Sequence, residues 1–324
     1  MRKLIGLAVS AAILVLLYAF IDVRGILAAA RATDGAWLAA GLLFVVPLTL
    51  LTAWRFTLLV SGTRLGFLEA NRLILAASTL NLFLPSKLGD LAKGHVLSRR
   101  HQMKPSLSFA IVVLEKALDM MSLLVWGMFG IAVVGLDQPP LLLLLLPVGG
   151  GALAIALLIS PWRLLPFILD RLGHLLPAKL RGGLQAFATS WQEMSEWFWQ
   201  RRVRALGVVG LSLMIWGAHL FQFWLFCRAL GGEVPMLENA AFATLSILVG
   251  LLPFTFAGVG TRDAAIVYFY APYLSAQQAA LLGILATLRY VIPAIAGAPF
   301  IADFAGLTDR QPKPLGGVQE TDRP

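Results

Sequence analysis

The chain has 324 residues, of which 59% are hydrophobic and 13% are charged, about half the charged share of an ordinary soluble domain. This composition excludes a soluble globular protein and a disordered one, and a single cysteine, Cys227, excludes a disulfide scaffold. The net charge of +9 would suggest nucleic-acid binding in a soluble protein. In a membrane protein basic residues mainly flank the spans, so we expect no nucleic-acid partner.

Six apolar segments approach or exceed the roughly 20 residues that a helix needs to cross a bilayer. The first, residues 4–21, follows Arg2 and Lys3, and a cleaved signal peptide is the alternative interpretation of it. The other five predicted spans are residues 36–60, 107–134, 141–159, 205–230 and 276–302.

Two further apolar stretches, residues 73–84 and 240–252, are too short to cross, and each ends at a proline that a polar, glycine-containing break follows. A second short helical segment begins after each break, which predicts two re-entrant helical hairpins. Broken backbone at membrane depth must be buried in protein or line a wet cavity, and it often marks a transport site. The predicted break residues are Pro85 and Gly89 in the first hairpin and Pro253, Gly258 and Gly260 in the second.

The distribution of lysine and arginine predicts that both termini are cytoplasmic. Between the fourth and fifth spans, within residues 162–202, apolar residues recur every three or four positions and predict an amphipathic helix. We expect this helix to lie on the cytoplasmic headgroups or against the bundle, and docking of a partner protein is the alternative. Residues 1–306 then form one integral membrane domain, and residues 307–324 form a polar, disordered tail.

Residues 36–136 and 203–304 contain a predicted internal repeat. Leu68-Glu69-Ala70-Asn71 opens the first hairpin and Leu237-Glu238-Asn239 opens the second, and the glutamate precedes the proline by 16 and 15 positions respectively. The charge-based topology places the two hairpin entries on opposite sides, which predicts inverted repeats and alternating access to a central site. Chance similarity of two proline-glycine loops is the alternative.

Several charged residues fall inside the apolar segments, where a lone charge costs at least about 2.5 to 3.5 kcal/mol. They should therefore face one another or a hydrated cavity. The basic members, aided by half-helix N-termini, are predicted to hold an anionic headgroup. The acidic members would orient them or carry a coupling proton, and ion pairs that fix helix register are the alternative. The predicted substrate-binding residues are Lys87, Asp90, Lys93, Glu115, Asp119, Arg262, Asp263 and Arg289.

Sequence motifs for catalysis are missing. The four histidines lack metal-ligand spacing, and neither a phosphate-binding loop nor a dinucleotide fingerprint occurs, so we expect no metal, no cofactor and no nucleotide motor. A membrane enzyme acting on polyprenyl-phosphate carriers, with Asp90 and Asp119 as acid and base, remains an alternative that no motif supports. A non-catalytic membrane scaffold is a third.

Three blocks of sequence resemble one known family. Residues 81–90, residues 113–119 and the stretch from Leu252-Pro253 to Arg262-Asp263 are similar to signature blocks of the lysylphosphatidylglycerol synthase transmembrane region family, the flippase-like domain also found fused to aminoacyl-lipid synthases. Lys87 departs from the pattern, since an arginine or a neutral residue is expected there in many relatives.

The resemblance implies a polytopic protein of the bacterial inner membrane that moves or binds an anionic or amphiphilic lipid between leaflets. The spans and breaks described above predict an all-α polytopic membrane protein with about six full transmembrane helices and two re-entrant helical hairpins in inverted repeats. Without a synthase domain in the chain, lysyl-lipid synthesis is not expected. The implied partner is a membrane lipid, and a homo-oligomer or a lipid-synthesis partner protein is compatible with this interpretation.

Overall fold

The structure is a computed structural model that describes residues 23–60, 63–136, 139–162, 167–169, 171, 178–251 and 260–304. The predicted span at 4–21, the break residues Pro253 and Gly258, and the tail at 307–324 lie outside the described residues. The α-helices are α1 (Val23–Arg31), α2 (Gly35–Leu43), α3 (Val45–Leu59), α4 (Phe67–Phe83), α5 (Leu91–Arg100), α6 (Pro105–Gly135), α7 (Leu145–Ile159), α8 (Ala178–Gln200), α9 (Arg202–Ala229), α10 (Met236–Gly250), α11 (Thr261–Phe269), α12 (Ala276–Gly297) and α13 (Ile301–Phe304), with 3-10 helices at Pro85–Asp90, Pro139–Leu144 and Ala298–Phe300.

Five helical stretches in the described part of the chain are long and apolar enough to cross a membrane, and they coincide with five of the six predicted spans. A shorter apolar helix, α10, corresponds to the first arm of the second predicted hairpin. The predicted class, an all-α polytopic membrane protein, is confirmed. The five stretches are Gly35–Leu59, Pro105–Gly135, Pro139–Ile159, Arg202–Ala229 and Ala276–Phe304.

Local sequence explains where the helices around the hairpins begin. Pro105 occupies the first turn of α6, where its fixed φ suits a helix and its missing N–H costs nothing. Ser275 caps α12 by accepting a hydrogen bond from the Gln278 backbone N–H at 3.3 Å. Gly260, with a φ of 98°, precedes α11 and donates its backbone N–H to Oδ2 of Asp263 at 3.0 Å. These features determine the residue at which each helix begins.

Helix contacts are symmetric between the two predicted repeats. The first hairpin arm α4 packs on α12, and its counterpart α10 packs on α6. The spans before the hairpins, α3 and α9, pack on each other, while α5 packs on α6 and α11 packs on α12. Each contact therefore has a counterpart in the other repeat. The α4–α12 contact corresponds to the α10–α6 contact, and the α5–α6 contact corresponds to the α11–α12 contact.

The bundle has two hydrophobic cores. One packs on the N-terminal halves of the long helices α6 and α9, and the other packs on their C-terminal halves. One core includes Leu114 and Leu118 of α6 together with residues of α3, α4, α5 and α8. The other includes Leu123 and Ile131 of α6 together with residues of α10, α11 and α12. The first hairpin thus packs near the beginning of α6 and the second near its end.

The amphipathic helix α8 packs its apolar face against the bundle. Trp191 and Phe198 are buried in the core beside α6. The indole N–H groups of Trp191 and Trp199 donate to the backbone carbonyls of Leu158 and Ile159, at 3.2 and 2.8 Å. Of the two placements expected for this helix, the structure shows the one against the bundle.

Candidate functional site

A cluster of charged side chains forms where the 3-10 helix of the first hairpin meets α6. Nζ of Lys93 lies 2.6 Å from Oε2 of Glu115 and 3.0 Å from Oδ1 of Asp90. Nζ of Lys116 lies 2.8 Å from Oδ2 of Asp90 and 3.5 Å from Oδ2 of Asp119. Four of the predicted site residues are therefore brought together, and Lys116 joins them, although on an ideal helix it points about 100 degrees away from Glu115.

Arg55 of α3 completes this group of six charges, which we call the first cluster. Its Nη1 lies 2.5 Å from Oδ1 of Asp119, and its Nη2 lies 3.3 Å from Oε1 of Glu115. Nη1 also donates to Oγ of Ser212 on α9 at 3.2 Å. The sequence analysis did not include Arg55 among the predicted site residues. The available signal was its position four residues before the end of an apolar helix.

The first cluster is electrically balanced, since Arg55, Lys93 and Lys116 face Asp90, Glu115 and Asp119. Arg55, Lys93 and Glu115 each expose only 1% of their side-chain surface. Buried charges require such pairing, and removing one partner leaves an uncompensated charge. The first cluster consequently connects α3, α5 and α6 with the 3-10 helix of the first hairpin.

The second cluster consists of Arg262, Asp263, Gly283 and Thr287, where α11 meets α12. Nη2 of Arg262 donates to Oδ1 of Asp263 at 2.8 Å, to Oγ1 of Thr287 at 2.7 Å and to the carbonyl of Gly283 at 3.2 Å. A Cβ on Gly283 would lie 2.8 Å from Oδ1 of Asp263, so the glycine makes room for the carboxylate. Arg262 and Asp263 therefore compensate each other inside the bundle.

Arg289 of α12 lies near the second cluster and has no carboxylate partner among the described residues. Its side chain is 4% exposed, and Nη2 donates to Oη of Tyr290 at 2.6 Å. Its Nε and Nη1 atoms have no hydrogen-bond acceptor in the described part of the chain. The guanidinium carbon instead lies over the rings of Phe223 and Tyr290, 4.8 and 4.6 Å from their centroids. Within the described part of the chain, Arg289 is thus a buried cation with two nitrogen atoms, Nε and Nη1, that have no acceptor.

The remaining predicted residues are placed as follows. Gly89 packs closely on α4, since a Cβ there would lie 2.6 Å from the backbone nitrogen of Asn81. Pro85 and Lys87 lie in the 3-10 helix, but their side chains are outside the described residues, as are Pro253 and Gly258. Within the described ranges, His, Cys, Asp and Glu form no group of three that could hold a metal ion.

The base of each hairpin is closed by a glutamate at the same position, the third residue of α4 or α10. Oε1 of Glu69 lies 3.4 Å from Nε2 of His101, just before α6. Oε2 of Glu238 accepts a hydrogen bond at 2.6 Å from Oη of Tyr273, just before α12. The hydrogen bond to Glu238 raises the pKa of Tyr273 above its usual value. The two hairpin-base contacts are equivalent in the predicted repeat.

Comparison with known proteins identifies the family of the chain. The family model described as "Lysylphosphatidylglycerol synthase TM region" matches residues 3–297. A relative, the UPF0104 membrane protein MJ1595 of Methanocaldococcus jannaschii, is 23% identical over 270 residues, which cover 78% of this chain and 80% of the relative. Since the family model matches nearly the whole chain, the protein is a multi-pass membrane protein that belongs to the lysylphosphatidylglycerol synthase transmembrane region family.

Proposed function

We propose that the protein is a lipid translocase, which moves a lipid with an anionic headgroup between the two leaflets of the bacterial cytoplasmic membrane. The observation that carries the proposal is the buried guanidinium of Arg289 in a transmembrane helix, whose Nε and Nη1 have no acceptor among the described residues. The family's name, which refers to a phospholipid synthase, supports a lipid as the cargo.

The chemistry of Arg289 suits a transient anionic ligand. A planar guanidinium with free N–H groups binds phosphate or carboxylate through two parallel hydrogen bonds. In the absence of an anion, the rings of Phe223 and Tyr290 stabilise the cation through their negative faces. Pro293, four residues further on, has no N–H to bond the carbonyl of Arg289, so α12 is weakened at this residue. The same site can therefore hold and release an anionic group.

The depth of the two hairpin tips supports a site near the membrane midplane. Lys116, which contacts the first tip through Asp90, is the twelfth residue of α6. Thr287, which contacts the second tip through Arg262, is the twelfth residue of α12. At 1.5 Å per residue each tip reaches about 16 Å along its span, about half of the roughly 30 Å hydrocarbon core.

The relative direction of α6 and α12 supports inverted repeats. The guanidinium of Arg100, just before α6, lies 4.9 Å from the ring centroid of Phe304, just after α12. The start of α6 thus lies beside the end of α12, and the two helices run in opposite directions. The first hairpin lies beside the N-terminal half of α6, and the second lies beside the N-terminal half of α12. Because these two helices are antiparallel, the hairpins enter from opposite faces of the membrane. Repeats of this kind are the usual basis of alternating access.

We further propose the orientation that the basic residues predict, with both termini in the cytoplasm. The face with the Glu69–His101 contact would then be cytoplasmic, and the face with the Glu238–Tyr273 contact would be external. In this arrangement the first and second clusters hold the hairpins in place, while Arg289 binds the cargo. We propose transport without chemical change of the lipid.

A proteoliposome assay tests the proposal. Vesicles that contain purified protein and a trace of fluorescent phosphatidylglycerol are treated with dithionite, which bleaches only the outer leaflet. We expect the protein to make nearly all of the probe accessible, where protein-free vesicles protect the inner half. Fluorescent phosphatidylcholine serves as the zwitterionic comparison and should exchange more slowly. Protection equal to that of protein-free vesicles for both probes would overturn the proposal.

A further inference from the structure

A partly open cavity of about 630 Å³ lies between the end of α5 and the start of α6, away from both charged clusters. The chain reverses here through Gln102, whose φ is 52°, and this turn sets the beginning of α6 opposite the last turn of α5. The cavity is lined by His95, Ser98, Arg99, Gln102, Met103, Lys104, Pro105 and Phe109.

The basic side chains of this cavity have few acidic neighbours in the described part of the chain. His95 and Arg99 are four residues apart on one exposed face of α5, and within the described ranges neither side chain forms an ion pair or a hydrogen bond. On the opposite wall, Nζ of Lys104 lies 3.8 Å from Oε2 of Glu193 on α8, and both side chains are exposed. An anion entering the cavity would therefore meet Arg99 without displacing a bound carboxylate.

The start of α6 adds to this positive potential. No side chain caps the helix, and the residue at its N-cap position is Lys104 itself. The first backbone N–H groups of a helix have no intrahelical acceptor, and the helix dipole favours an anion at this end. The dipole of α6 therefore adds to the positive charge of the side chains around the cavity.

The apolar wall of the cavity and its position at the membrane surface favour a lipid over a soluble anion as the ligand. Phe109 and Met103 are half-buried, and Met103 packs against the core beside α6. The cavity lies at the polar end of a membrane-spanning helix, where phospholipid headgroups are found. A phosphodiester at Arg99 would leave its acyl chains to follow the apolar surface of α6.

We propose that this cavity, which we call the α5–α6 cavity, binds the phosphate of an anionic phospholipid from the leaflet next to the start of α6. The proposal stands on the cavity and on Arg99, which has no acidic partner in the described ranges, and it does not depend on transport of the lipid through the protein. Arg99 is the main ligand, and Lys104 and His95 lie on the two walls around the phosphate.

Native mass spectrometry of the full-length protein tests the proposal with defined lipids. The protein in detergent is titrated with phosphatidylglycerol or phosphatidylcholine, and bound lipids are counted. We expect at least one phosphatidylglycerol to bind preferentially, and Arg99→Gln to weaken it about tenfold or more, as for loss of a charged hydrogen bond. Arg201→Gln, which removes an exposed cation outside the cavity, is the matched control and should leave binding unchanged.

Three results would overturn the proposal. Equal weakening in the Arg99 and Arg201 variants would indicate diffuse surface charge. Equal binding of phosphatidylglycerol and phosphatidylcholine would show that the headgroup charge is not recognised. Complete displacement of the lipid by millimolar inorganic phosphate would indicate a site for the soluble anion. Arg99→Lys should retain part of the affinity, and unchanged thermal unfolding of Arg99→Gln would confirm that the fold is intact.

Discussion

The guanidinium carbon of Arg289 lies 4.8 Å from the centroid of the Phe223 ring, so a cation on α12 rests on an aromatic face of α9. This contact joins the last span of the second repeat to the span that begins it. An aromatic face stabilises a buried cation less than a carboxylate does, which distinguishes Arg289 from Arg55 and Arg262. Substitutions of paired and unpaired cations should therefore have different effects.

Replacing Arg289 should not destabilise the fold. In Arg289→Met a buried charge with no carboxylate partner in the described ranges is exchanged for an apolar side chain of similar length, so we expect an unchanged or higher Tm in detergent. Arg55→Met is the control, since it leaves Glu115 and Asp119 with less compensation and should cost about 3 to 5 kcal/mol. Equal losses of Tm in both variants would mean that Arg289 has a structural role.

The Lys93–Glu115 pair should show strong coupling in a double-mutant cycle. We expect Glu115→Gln to destabilise the protein by about 3 kcal/mol or more, because Lys93 and Arg55 lose a carboxylate they share. Lys93→Met combined with Glu115→Gln should be less destabilising than the sum of the single changes. Reversible unfolding in mixed micelles gives the free energies. Additive effects would contradict the ion-pair role of the first cluster.

Gly283→Ala should disturb the second cluster. The added methyl group would approach Oδ1 of Asp263 to 2.8 Å and push the carboxylate away from Arg262. We expect a lower Tm, by an amount that corresponds to about 1 to 3 kcal/mol. Gly210→Ala on α9 is the matched control, because a Cβ added there would have nothing within 4 Å. A Tm for Gly283→Ala at or above that of the control would argue against this packing.

Cysteine labelling tests whether the hairpins enter from opposite faces. The only cysteine, Cys227, is buried and can be replaced by alanine. In that background Leu68→Cys and Leu237→Cys place thiols at equivalent exposed positions at the two hairpin entries. A membrane-impermeant maleimide added to intact spheroplasts should label Leu237→Cys, and it should label Leu68→Cys only after lysis. Labelling of both from the same side would rule out inverted repeats.

Periodicity and hydropathy predicted much of the fold from the sequence. The five described spans and both first hairpin arms lie where apolar runs and prolines placed them, because the bilayer allows few alternatives for an apolar segment. The 3-10 helix at Pro85–Asp90 lies where the sequence predicts only a polar break, since a short proline-glycine segment carries no helical periodicity.

The partners of the charged residues could not be predicted in the same way. Arg55 is 60 or more residues from Glu115 and Asp119 in sequence, and only the crossing of α3 and α6 brings them together. Lys116 reaches Asp90 because its long side chain can turn along the helix surface. Whether a buried charge is paired or unpaired depends on such crossings. For that reason the sequence analysis predicted the same role for Lys93 and Arg289. In the structure Lys93 is paired with carboxylates, whereas Arg289 lies over aromatic rings.

The most direct test of the proposed transport site is the exchange rate of Arg289→Gln in the dithionite assay with fluorescent phosphatidylglycerol. Arg228→Gln, which removes a partly exposed arginine at the end of α9, is the control. We expect Arg289→Gln to slow exchange by about tenfold or more, as for loss of a charged hydrogen bond to the cargo, with its Tm maintained. The control should exchange at the wild-type rate. Wild-type exchange by Arg289→Gln would contradict the assignment of Arg289 as the residue that binds the cargo.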